Sequence, residues 1–513
     1  MMLCLKARCG AVCLVLKITS LACLFSVGVF LMAGAQTKPD SAQIKYFAEI
    51  KTFSDPFVRN LRRNYVQMYS LPEADFISKV DSAHTQLVNV LNKYSAALKP
   101  AFVREQQIQV NYYFDKLLAD YPANFTGYTS KPLPDPAAIA TRLRKHLPDL
   151  NDPTLLNQVM FRNYVHAYFT WELTDELAKP IYNNVDNKLL VAVFNLINRQ
   201  ITNKKCRDFW HYDYLYDGIT NNGIENAGKI YLAFKKNCKD TAYLRRVNAL
   251  YNYEYKRRQG HLIKIYKTVN GYTLDMHVFL PDSAAKPGKR PAMVFFHAGD
   301  WREGKPDWYF DDCKAYARKG WVACTVEYRT LSRAGTLPFE AVKDARSAIR
   351  WLRQHGAEYN IDTSRIVANG YDSGGQLALA CAMADKYNEK SDDLHFSPAP
   401  NLIMVTSGIY DLTGNNNAWI KRDLKDKNTL RDISPLFLVK KGMPPVLVIH
   451  GRKDADEDYA NARHFATLLK EAGNPVSFHP VDDAPHLLWL DTKYAGEAEK
   501  VQQDFLRKYG YDR

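Results

Sequence analysis

The sequence predicts an α/β fold, a mostly parallel sheet flanked by helices and preceded by an all-helical region. Three observations lead there. Between residues 292 and 478 short apolar runs alternate with helical stretches, the pattern of a parallel sheet covered on both faces. From about Asp55 to Arg258 apolar residues recur at three- and four-residue steps with few strand signals. At 513 residues the chain is long for one core, so at least two folded units are expected.

The first 35 residues read as a leader. Lys6 and Arg8 precede an apolar run from Ile18 to Met32, and Ala33-Gly34-Ala35 offers a small-residue cleavage site before Gln36. The run is short for a membrane span and follows Lys17 closely. The expectation is an exported protein, periplasmic or secreted, with no membrane span after cleavage; an uncleaved N-terminal anchor is the alternative. Cleavage would leave five of nine cysteines, an odd number that excludes a complete disulfide framework. Cys206 and Cys238 could pair, whereas Cys324 and Cys381 sit in apolar patterns as buried thiols. There is no Cys-x-x-Cys, so neither dithiol redox work nor a cysteine zinc site is supported. The net charge of +14, about +11 without the leader, is scattered over short clusters such as Arg62-Arg63. Solvated helix faces account for it, and no nucleic-acid partner is expected.

Residues 36–259 form the helical region, opening with a polar lead over 36–53. Val80, His84, Leu87, Leu91, Tyr94 and Leu98 fall on one helix face, and Pro153–Lys179, Asp186–Thr202 and Asp240–Arg258 repeat the style. Loops at Pro132–Pro136 and Asn221–Gly223 punctuate it. Its many tyrosines and phenylalanines read as packing between helices rather than as a sugar-binding surface.

From residue 260 to 513 the texture changes. Leu262–Lys267 and Tyr272–Leu280 flank Asn270-Gly271, a strong hairpin signal. Strands follow at Ala292–Phe296, Val322–Val326, Ile366–Ala368, Leu402–Val405, Val446–Ile449 and Val476–Phe478. Between them lie helices near Asp307–Lys319, Phe339–His355, Gly375–Lys386 and Tyr459–Ala472. In such sheets the active site gathers at the carboxyl ends of the strands.

Four loops at those ends carry reactive residues. The strand Ile366–Ala368 runs into Gly370-Tyr371-Asp372-Ser373-Gly374 and then a small-residue helix, the layout of a nucleophile elbow. The elbow pattern places serine third; here Asp372 stands there, and Ser373 comes one place late. After Phe296, the run His297-Ala298-Gly299-Asp300-Trp301 supplies small residues whose N–H groups can face an oxyanion. Ala298, Gly299 and the Ser373 N–H are the expected donors. Asp454 follows the strand at 446–449 and His486 follows Val481, giving the order nucleophile, acid, histidine.

With these residues in hand, the C-terminal half resembles the acetyl-esterase and hormone-sensitive-lipase branch of the α/β-hydrolases. The resemblance rests on Val294 to His297 with Trp301 and Gly304, on Tyr328-Arg329, Pro338, Asp344 and Arg350-Trp351-Leu352, and on Asp362 with Arg365-Ile366. It continues through Gly374-Gly375-Gln376-Leu377-Ala378, Tyr410-Asp411-Leu412, Ser434-Pro435 and Pro444-Pro445. It implies ester hydrolysis, with Asp454 as triad acid and His486 as triad base. Asp456 is a rival for the acid, and Asp300 replaces a glycine of the family's oxyanion loop.

Asp372 leaves three readings open. Ser373 attacks instead, although one step along the elbow turns its side chain away. Alternatively Asp372 is the nucleophile, as in the dehalogenase and epoxide-hydrolase branches of the fold, which calls for alkyl halides or epoxides. Or the chemistry is lost, and Asp372 pairs with His486 in a binding or scaffold protein. The expected partner in each case is a small-molecule substrate or ligand. No metal ligand set or dinucleotide glycine loop is apparent, so no cofactor is expected, and the oligomeric state is not legible.

Overall fold

The computed structural model describes residues 40–511, apart from 130, 132–136, 226, 282–287, 415–417, 423, 425 and 455–458. The leader, the Pro132–Pro136 loop and Asp456 therefore lie outside the described residues. Asn270 and Gly271 both take positive φ, 49° and 82°, and fold β1 (Leu262–Val269) back on β2 (Tyr272–Phe279). This is the backbone that a two-residue hairpin turn requires, and asparagine and glycine adopt it at least cost. The sheet continues with β3 (Arg290–Phe296), β4 (Val322–Val326), β5 (Ile361–Tyr371), β6 (Leu402–Thr406), β7 (Val446–Gly451) and β8 (Val476–Val481). Spatially the order is β1-β2-β4-β3-β5-β6-β7-β8. β2 is antiparallel to both neighbours, and every pairing from β4 onward is parallel.

Every residue of β4, β6 and β7 is buried. The near-continuous apolar runs follow from this, because a strand covered on both faces has no polar side. Val294, Phe296, Cys324, Ile366 and Val448 join one core with the helices at Pro338–Gln354, Ser373–Met383 and Tyr459–Glu471. Their alternates Met293, Phe295, Ala323, Val367 and Leu447 meet the helices at Phe310–Arg318 and Thr492–Lys508 on the other face. The helix at 492–508, opened by Asp491 accepting the Lys493 N–H at 2.9 Å, has no counterpart in the sequence reading. β5 is also longer than the apolar run at 366–368, because the polar Asp362–Arg365 segment belongs to the strand.

Before the sheet, the described chain from Ser41 to Arg257 is helical, with short 3-10 turns. Residues 41–53 are not a polar lead. They open a helix (Ser41–Arg63) that buries Tyr46, Phe47 and Ile50. The helix expected from Pro153 starts at Val159, after 3-10 turns at Pro148–Asn151 and Leu155–Asn157. Cys206 and Cys238 are both free and buried rather than bridged. No helix among the described residues is long and apolar enough to cross a membrane.

Charge ties the helices to the sheet. Lys305 meets Glu254 at 2.6 Å, Arg258 contacts Asp307 at 3.2 Å and also Glu225, and Arg333 lies between Asp186 and Glu327 at 3.3 and 3.1 Å. All three cations are buried, so each depends on its carboxylates to offset desolvation.

Candidate active site

The elbow is a strained turn held by absent side chains. Asp372 sits at φ 53°, ψ −126° between β5 and the helix at 373–383. A Cβ on Gly374 would collide with the Phe296 carbonyl, and one on Gly370 with the carbonyl of Gly374. Only glycine at both positions lets the turn close against β3. The Asp372 N–H donates to the Thr406 carbonyl at 3.2 Å, and its own carbonyl accepts the Gly375 N–H at 2.9 Å.

The loop after β3 is strained in a complementary way. Gly299, Asp300 and Trp301 have φ of 121°, 55° and 56°, and left-handed backbone costs roughly 1 kcal/mol or more at a non-glycine residue. The buried Trp301 indole, donating to Gln376 Oε1 at 3.2 Å, holds the turn from one side. From the other, the Gly304 N–H donates to the Asn221 carbonyl at 3.1 Å, and Lys305 and Asp307 make the ion pairs described above.

The strain directs two N–H groups at one atom. Asp372 Oδ2 accepts the N–H of Gly299 at 2.9 Å and of Asp300 at 3.2 Å. The Ser373 N–H adds to the stabilisation of the same carboxylate. Ala298, an expected donor, instead turns its carbonyl to His297 Nδ1 at 2.9 Å, and Asp300 takes its place. The carboxylate thus takes up two backbone N–H groups of a kind that can otherwise face an oxyanion.

Asp372 Oδ1 faces His486 Nε2 at 3.7 Å, and His486 Nδ1 lies 2.9 Å from Asp454 Oδ2. Ser373 is fully buried; its hydroxyl donates to Asp372 Oδ2 at 3.2 Å rather than turning to the histidine. The acid has a second support that the sequence reading did not single out. His450 Nε2, at the end of β7, lies 2.9 Å from the same Asp454 oxygen with no exposure of its own. Its signal was its place in His450-Gly-Arg-Lys-Asp454, a buried strand end four residues before the carboxylate.

The electrostatics follow from burial and pairing. Burial disfavours charge on Asp372, but His486 and the N–H groups of Gly299 and Ser373 outweigh it and hold the carboxyl below its usual range. Burial likewise opposes charge on His486; Asp372 and Asp454 overcome it and raise the imidazole well above its usual value. Asp454 is lowered by His450 and His486 against its own desolvation. The group is an imidazolium between two carboxylates. His297, by contrast, is pushed down to about 4 by burial and stacks on Tyr328 at 4.0 Å, so it is a neutral wall of the loop.

Among the described residues, one trio of carboxylates could face a metal ion, Glu225, Asp275 and Glu327. Arg258 on Glu225 and Arg333 on Glu327 already supply positive charge there, so the donor set is that of an ion-pair network.

Residues 276–469 match the BD-FAE family. The chain is similar to esterase LipQ of Mycobacterium tuberculosis, 28% identical over 224 residues that cover 40% of this chain and 52% of the relative. It is also similar to a probable isoprenylcysteine alpha-carbonyl methylesterase, ICMEL1, of Arabidopsis thaliana, 23% identical over 253 residues, 45% of this chain and 52% of the relative. The chain thus spans about half the length of the curated relatives it matches. Among solved structures, the Thermogutta terrifontis esterase with propionate bound aligns at 30% identity over 50% of this chain and 96% of that one, with a TM-score of 0.46.

Proposed function

We propose that this esterase/lipase-like α/β-hydrolase retains the acid, histidine and oxyanion donors of an ester hydrolase with serine-type turnover switched off by Asp372. One observation carries the reading: Oδ2 accepts the Gly299 and Asp300 N–H groups that an acyl oxyanion would need. An ester carbonyl entering this site meets a carboxylate of its own sign in its binding position, and the imidazole that should accept a proton is already charged. The wild-type protein then acts as an exported binding or scaffold protein. Export rests on the basic-apolar-small leader, and N-terminal sequencing of the exported protein should begin at Gln36.

Turnover of short-chain 4-nitrophenyl esters tests the proposal. Wild type and Ser373→Ala should be inert, and Asp372→Ser should gain hydrolysis that disappears when His486→Ala is added. Wild-type turnover that is lost in Ser373→Ala would sink it, because Ser373 would then be the nucleophile.

A second reading has its own observation. With Oδ2 held by backbone N–H groups, Oδ1 is the oxygen left to attack. Attack on an alkyl halide would form the Asp372–carbon ester and release halide with the C–X electron pair. Water deprotonated at His486 would then add to Asp372 Cγ, with the oxyanion in the same hole, and release the alcohol. His486 has to be neutral by that hydrolysis step, which forming the ester favours by removing the Asp372 charge that raises it. Halide release from 1-bromobutane by wild type and not by Asp372→Asn would establish this reading over the first.

A further inference from the structure

At the sheet end that carries the elbow, beyond β4, an open cavity of about 340 Å³ lies between the helical region and the hairpin. Its wall comes from three parts of the chain: the segment 182–188, the β1–β2 turn, and the stretch after β4. Tyr272 closes the seam below by donating to the Val185 carbonyl at 2.8 Å. Much of the remaining wall is polar. The side chains of Asn183, Asn184, Asn270 and Lys188 make no hydrogen bond or ion pair among the described residues, and the buried Thr336 hydroxyl likewise lacks a partner.

Charge in the wall is unbalanced in one place only. Arg329 also lines the cavity, but its guanidinium is consumed by Asp344 and Glu389, at 2.7 and 3.0 Å. Lys188 has no carboxylate partner among the described residues, and it lies along Gly335 at the cavity edge. We propose that this cavity is a binding site for an acidic saccharide of one or two rings. Three primary amides each offer a donor pair and an acceptor, which matches hydroxyl groups that both donate and accept. A single ammonium matches a single carboxylate. A phosphate would need converging charged or backbone donors, and the one guanidinium present is already paired. The volume is at the small end of ordinary ligand sites, enough for a sugar and its water.

The site does not depend on the elbow chemistry, so its test leaves that aside. Isothermal titration of the full chain with D-glucuronate should show saturable binding, with D-glucose at least about tenfold weaker for want of the carboxylate. Lys188→Met should weaken glucuronate by about tenfold or more and leave glucose unchanged, whereas Asn183→Ala should weaken both. Both variants alter side chains outside the apolar cores, and an unchanged thermal midpoint will verify that they fold. Absence of glucuronate binding at tens of millimolar would overturn the proposal. So would glucuronate affinity that Lys188→Met leaves intact, or acetate and inorganic phosphate binding as tightly as the sugar acid.

Discussion

Replacing Asp372 by asparagine removes one charge and little volume, so it isolates what the carboxylate does to His486. The two groups face each other at 3.7 Å with 7% and 11% of their side chains exposed. Unit charges at that separation interact by roughly 4 kcal/mol at an effective dielectric of about 20. Residual solvent contact and the remaining Asp454 reduce the expected change, and Asp372→Asn should lower the His486 pKa. Histidine side-chain NMR titration measures it directly, with the His486 resonance assigned by its loss in His486→Gln. A drop of less than about half a unit would refute the reasoning. The imidazolium would then owe its charge to Asp454 alone, and Asp372 would be no obstacle to a neutral base.

The same pairing sets a pH dependence of stability. His486 is raised above its ordinary 6.5, so its contribution is complete below that value and is lost as pH rises through the folded value. Asp454 is depressed below 3.8, so its contribution is complete above that value and is lost as pH falls through the folded value. Urea unfolding across pH should therefore show an alkaline decline that Asp372→Asn reduces. Asp344 compensates both Lys267, at 2.6 Å, and Arg329, all three buried. Asp344→Asn should cost about 3 kcal/mol in urea unfolding because it leaves two interior cations with Glu389 as their shared carboxylate, 3.0 Å from each. Gly374→Ala, added to Asp372→Ser, should abolish the ester turnover expected of that variant. The new methyl forces the elbow off the Phe296 carbonyl, and an unchanged rate would show that this contact yields.

The strands were legible because burial on both faces removes polar residues from them, as in Val446–Ile449, and that signal is local. Where burial was partial the reading shortened or missed the element. The polar half of β5 and the helix at 492–508 are held by partners far along the chain, Arg365 reaching the Gly510 carbonyl at 2.7 Å for one. The opening helix looked polar because its buried face is only a stripe carried by Tyr46, Phe47 and Ile50.

By itself the sequence determined the register of the elbow. Gly370 and Gly374 frame Asp372 because no other residue fits against β3 and the following helix, and that constraint is written in residue identity. Only the tertiary structure decided what the carboxylate does there. Which N–H groups converge, Gly299 and Asp300 rather than Ala298, depends on three consecutive positive φ angles fixed by Trp301, Asn221 and the buried ion pairs of the seam. The polar cavity at 182–188 likewise arises where segments distant in sequence meet. Periodicity reports how one segment meets solvent; it carries no record of the segment that comes to lie opposite.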